Sequence, residues 1–91
     1  MIVRIATEGQ YRLEDGQAAK LNELDNEIVA VVQAGDEEGF RRLFDEMLRL
    51  ARSGAELGND ELEESDVILP PPDISLEEAS AEFTGEGLIP G

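Results

Sequence analysis

Three consecutive prolines, Pro70, Pro71 and Pro72, stand directly after the apolar triplet Val67, Ile68 and Leu69. Proline fixes φ and has no N–H to give to a strand ladder. The triplet therefore reads as a short strand and the prolines as an extended exit from it. Farther on, Ser75 and Glu78 have the capping-box spacing that opens a short helix over residues 76–83, with Gly85 to end it. A second apolar pair, Leu88 and Ile89, precedes Pro90. Disordered acidic segments lack apolar runs of this kind. The last third of the chain is thus predicted to be ordered and to fold back. Strand 67–69 would pair with or cover the N-terminal strands, and Leu88 and Ile89 would cap an apolar surface.

Upstream, two β-runs, 2–6 and 10–13, flank Thr7, Glu8 and Gly9, which reads as a hairpin turned at the glycine. Leu21, Leu24, Ile28, Val31 and Val32 recur at helical spacing and predict a helix over 17–34, with Glu23, Asp25, Asn26 and Glu27 on its outer face. Gly35 and Asp36 supply a C-terminal glycine and the next N-cap. So short a link makes the following helix, 37–53, an antiparallel neighbour. Its apolar stripe holds Phe40, Leu43, Phe44, Met47, Leu48, Leu50 and Ala51, wide enough to pack on a sheet and on the first helix together or to leave part for a partner, with burial the favoured reading. Acidic residues at its start and Arg49 and Arg52 at its end suit the helix dipole. Asp45 and Arg49 have i,i+4 spacing for an ion pair. Gly39, in the first turn, costs about 1 kcal/mol against alanine and suggests close approach of another backbone. Gly54 ends this helix. Residues 55–65 read as a polar acidic loop.

The fold class is α+β: an N-terminal β-hairpin, a central antiparallel helical hairpin, a short third strand and a short C-terminal helix, in one domain spanning 1–91. An apolar share of 41% in 91 residues suffices for one small core, and with only three Phe and one Tyr that core is aliphatic and thin. Such a core leaves room for self-association.

Chemistry is excluded on several grounds. The chain has no cysteine and no histidine, so thiolate, disulfide and imidazole chemistry are all missing. No glycine pattern makes a phosphate loop. The acidic run Asp60, Glu61, Glu63, Glu64 and Asp66 lacks the spacing of a calcium-binding EF-hand loop. Paired carboxylates for acid–base work need a walled cleft, which a chain this short has little room to build. The expectation is no enzyme, no cofactor and no metal. No run is long enough to span a bilayer, and the start has no signal-peptide pattern, so a cytoplasmic protein is expected.

The charge is lopsided. All seven basic residues lie at or before Arg52, while residues 55–91 carry eleven acidic residues and no basic ones, hence −11 of the net −15. Such a field repels nucleic-acid phosphate and anionic lipid and favours a basic partner. The candidate contact residues are Glu61, Glu63, Glu64 and Asp66. Two other modes compete: strand addition at the edge of the N-terminal strand, and apolar docking at positions read as exposed, such as Leu57 or Ile74.

Several phrases together resemble one family. The start MIVRI with EGQYRL (8–13), then LNELDNEIV (21–29), AGDEEGF (34–40), SDVILPPPDISLEEA (65–79) and the final EGLIPG (86–91) are similar to the PspAA family, small PspA-associated proteins of actinobacteria and archaea. SDVILPP and EGLIPG are the specific parts, and the resemblance covers nearly the whole chain. It implies a companion of PspA, a coiled-coil, membrane-associated effector of the phage-shock envelope-stress response. It attaches no enzymatic activity and carries over no catalytic residue. The resulting expectation is a non-enzymatic adaptor that binds a PspA-like coiled coil, reaches a membrane only through that partner, and binds no nucleic acid. The alternative is a stand-alone acidic interaction module or self-assembling structural protein unrelated to PspA.

Overall fold

The computed structural model describes residues 1–58, 63–83 and 87–88. Strands β1 (Ile2–Ile5) and β2 (Gly9–Arg12) pair antiparallel, with Val3 opposite Tyr11. The turn differs from the expected one. Gly9 lies in β2 opposite Ile5, and Thr7 takes the left-handed conformation at φ 72°. A β-branched residue there costs about 1–2 kcal/mol, because its Cβ crowds the following carbonyl.

Helices α1 (Asp15–Gln33) and α2 (Glu37–Arg52) form the antiparallel hairpin. α1 begins two residues before the periodicity indicated, because the Glu14 N–H donates to Gln17 Oε1 at 2.9 Å and fixes the first turn. Gly35 closes α1 at φ 72°. Asp36 caps α2, its Oδ1 accepting from the Gly39 N–H at 3.0 Å. The space a Gly39 Cβ would need is filled by the Asp36 carboxylate, not by the backbone the sequence suggested. Gln17 Nε2 donates to Ser53 Oγ at 3.1 Å, joining the start of α1 to the end of α2.

Residues 55–65 are not wholly a loop. β3 (Ala55–Leu57) pairs antiparallel with β2, Gln10 opposite Leu57 and Arg12 opposite Ala55. Gly54 makes this possible. A Cβ there would lie 2.6 Å from both the Arg12 carbonyl oxygen and Leu13 Cδ2, so only glycine lets the end of α2 pass so close to β2. Replacing Gly54 by alanine must push backbone apart. It should lower stability by about 1–3 kcal/mol, and a thermal melt that stays put would refute that reading.

β4 (Val67–Leu69) pairs with β1 in parallel, Val3 beside Val67 and Ile5 beside Leu69, which completes the sheet in the order β3-β2-β1-β4. The expected return of the C-terminal segment to the N-terminal strands is therefore realised. The expected free edge on β1 is not: β1 lies between β2 and β4, and its N–H and C=O groups face strands on both sides. Side chains alternate across the sheet. Val3, Ile5, Tyr11, Val67 and Leu69 join the core with Leu24 and Ile28 of α1 and Phe44 and Leu48 of α2. Ile2, Arg4, Gln10, Arg12, Leu57 and Ile68 share the opposite face by register.

The capping box holds as predicted: the Ser75 N–H donates to Glu78 Oε1 and the Glu78 N–H to Ser75 Oγ, both at 3.1 Å, opening α3 (Leu76–Glu82). Phe83, just past α3, is buried against both rings of α2. Its centroid lies 6.2 Å from Phe40 and from Phe44, edge-on to each, while those two stack at 5.3 Å. The extra width of the α2 stripe is thus taken up by the C-terminal segment. Arg41 donates to the Ile74 carbonyl and fastens the stretch before α3 to α2.

Asp25 departs from its expected outer-face position. It is fully buried, and its Oδ1 accepts from the Leu88 N–H at 3.0 Å. Residues 87–88 lie over this side of α1, and a buried carboxylate must be met by donors. Leu88 packs against the core, as expected. Gly85 and Ile89 lie outside the described residues.

Candidate partner-binding surface

Of the acidic candidates, Glu63, Glu64 and Asp66 stand on the stretch that leads into β4 and crosses the face of the sheet away from the helices. Gln10 anchors this strap. Its side chain is buried and its Nε2 donates to Ser65 Oγ at 2.8 Å and to the Glu63 carbonyl at 2.5 Å, while its Oε1 accepts from the Glu63 N–H at 3.3 Å. A buried amide needs such partners, and here the strap's own backbone supplies them. The Asp66 carboxylate accepts from the Ile2 N–H at 2.7 Å, and the Asp66 N–H donates to the Ile2 carbonyl at 2.8 Å. Glu63 pairs with Arg12 at 3.1 Å, both side chains about half exposed. Such a pair contributes about 0–1 kcal/mol. Glu64 is exposed. Glu61 lies outside the described residues.

Glu63 and Asp66 therefore share the strap but also serve the fold, and Glu64 points its charge outward from the same stretch. Gln10, which holds the strap, was missed in the sequence. Glutamine in a strand carries no signal of burial, and its partners lie more than fifty residues away. Leu57 and Ile74, read as exposed apolar positions, are buried at 8% and 5% exposure. The exposed large apolar side chain among the described residues is Ile68, at 61%. Alternation in Val67-Ile68-Leu69 is the signal for it, since the middle residue must face away from its neighbours.

Positive charge collects elsewhere. Arg41, Arg42, Arg49 and Arg52 lie on α2 and Lys20 on α1. The ion pairs among the described residues are Arg12–Glu63, Lys20–Glu23 and Arg52–Glu8. The expected Asp45–Arg49 pair does not form, as is common for solvated side chains on an exposed helix face. Arg52 meets Glu8 through two bonds, at 2.9 and 2.6 Å. The hydrogen bond from Arg52 holds the Glu8 carboxyl below the usual glutamate range. Burial, followed by the charges of Glu56 and Glu8, pushes the Tyr11 phenol up. Among the described residues no group of three or more His, Cys, Asp or Glu converges as a metal site. Among them, too, no helix is long and apolar enough to cross a membrane.

These features define a small acidic α+β protein whose helical hairpin covers one sheet face and whose acidic strap crosses the other. The family model for PspAA, described as PspA-Associated protein, matches residues 1–91, and the chain belongs to this family. No curated protein and no solved structure matches it.

Proposed function

We propose that this protein is a non-enzymatic adaptor that binds a PspA-type coiled coil in the cytoplasm through the acidic strap, with Glu61, Glu63, Glu64 and Asp66 in the contact surface. Membership of a PspA-associated family carries the choice of partner. The charge pattern supports the mode. A segment bearing eleven acidic residues and no basic ones resembles an anionic membrane in sign, and so competes for the basic helices that would meet one.

The test is binding of the purified chain to its coiled-coil partner across a salt series. The association should weaken as salt rises, mainly through a slower on-rate. Changing Glu61, Glu63 and Glu64 together to lysine should weaken it by about tenfold or more, or about 1.4 kcal/mol. The melting temperature should move little, since the Arg12–Glu63 pair is exposed. Asp66 is left unchanged in this variant because it holds the Ile2 N–H. Equal affinity of the triple variant and the parent at physiological ionic strength would end this reading.

A further inference from the structure

Strand β4 is an edge. Among the described residues nothing pairs with its outer side. Natural edges are commonly blunted by charge, proline or a covering loop. Here proline limits the strand to three residues, yet its central side chain, Ile68, is the exposed apolar residue noted above. Beside this edge lies a cleft of about 240 Å³, lined by Ile68 together with Ala6, Leu69, Pro71 and Ile74 and rimmed by Glu78 and Glu82 of α3.

The two walls differ in chemistry: by register the Ile68 side chain faces opposite to those of Val67 and Leu69, while the carboxylates stand on α3, whose Ala79 packs in the core with Val67 and Leu69. Ile68 stands on the face away from the helices, beside Arg4. Glu78 and Glu82 stand on the helix side, one turn apart along α3. A strand added to β4 would send alternate side chains to these two walls. One set would meet Ile68, and the other would meet the two carboxylates. We propose that the free edge of β4 takes up an extended segment of a partner chain in which apolar and basic residues alternate, by strand addition.

A second copy of this chain is the natural rival, because two edges of this kind can pair with each other. Charge decides against it. Pairing β4 with β4 would bring Glu78 and Glu82 of one copy towards those of the other, between molecules of net charge −15. The proposal does not depend on the coiled-coil reading.

The probe is a capped hexapeptide, Lys-Val-Lys-Val-Lys-Val, titrated into the isotope-labelled full chain and followed by amide NMR. Shifts should centre on Val67, Ile68 and Leu69, with slowed hydrogen exchange at Ile68, whose N–H faces the open side while the Leu69 backbone faces β1. The peptide Lys-Val-Lys-Pro-Lys-Val has the same charge but lacks one backbone donor, and should bind about tenfold more weakly. Ile68→Lys and, separately, Glu82→Lys should each weaken binding several-fold while leaving the melt unchanged, since both positions are exposed. Equal affinity of the two peptides, or shifts centred on residues 63–66, would overturn the proposal in favour of plain charge attraction. Shifts at Ile68 that follow protein concentration without peptide would overturn it in favour of self-pairing. If instead the Ile68 and Glu82 variants lose the peptide but the triple glutamate variant still binds the coiled coil normally, the edge proposal survives and the strap reading falls.

Discussion

Truncation after Ser65 is expected to give a protein that aggregates and binds hydrophobic dye. The cut removes β4, so β1 loses its parallel partner and becomes an open edge. It also removes Val67, Leu69, Ile74 and Phe83, all buried. At about 1.5–3 kcal/mol for each fully buried side chain, the loss is about 6–12 kcal/mol. That rivals the whole stability of a small domain, about 5–15 kcal/mol. Phe40 and Phe44 would lose the ring that covers them, and Val3 and Ile5 the strand beside them. Gel filtration and dye fluorescence are the measurements. A truncated chain that stays monomeric with the parent's melting temperature would show that these contacts contribute little.

The second large effect belongs to the helical hairpin. Leu24 and Leu48 are 1% and 2% exposed, on facing stripes of α1 and α2. Replacing either by alanine should cost about 2–5 kcal/mol, read as a lowered urea midpoint at constant slope. Leu48 should lie towards the upper end, because Leu24 borders a surface cleft shared with Leu50 and Arg49 where neighbours and water can refill the space. Midpoints unchanged in both variants would mean that these faces are not the core.

The helical hairpin was legible because its signals are local and agree. The apolar stripes repeat at the helical period, and Gly35 and Asp36 mark the break between them. The capping box at Ser75 and Glu78 was equally plain. β3 was not, because Ala55, Glu56 and Leu57 have no strand pattern of their own. Their pairing depends on how closely Gly54 lets the chain approach Arg12, which is a tertiary fact. Asp25 was misplaced for a related reason. Charge beside an apolar stripe ordinarily marks a solvated face, and nothing near Asp25 in sequence shows that residues 87–88 will lie over it. At the candidate surface the acidity was visible, but the backbone role of Asp66 and the anchoring by Gln10 were not. The return of 67–69 to the N-terminal strands was legible, but not that its parallel pairing would use up the edge of β1 and leave β4 as the outer strand.

The place of β1 also sets the order in which the fold can close. Its contacts with β2 are nearly adjacent in sequence, while the bond from the Ile2 N–H to Asp66 spans 64 residues. Closing a loop of that length costs entropy before any pairing repays it. The two hairpins, one of strands and one of helices, can therefore form early from local contacts, and the β1–β4 pairing comes late. During synthesis β1 keeps an unsatisfied ladder until residue 69 has been made and has left the ribosome. For most of that interval the nascent chain presents an open edge that the finished molecule has sealed.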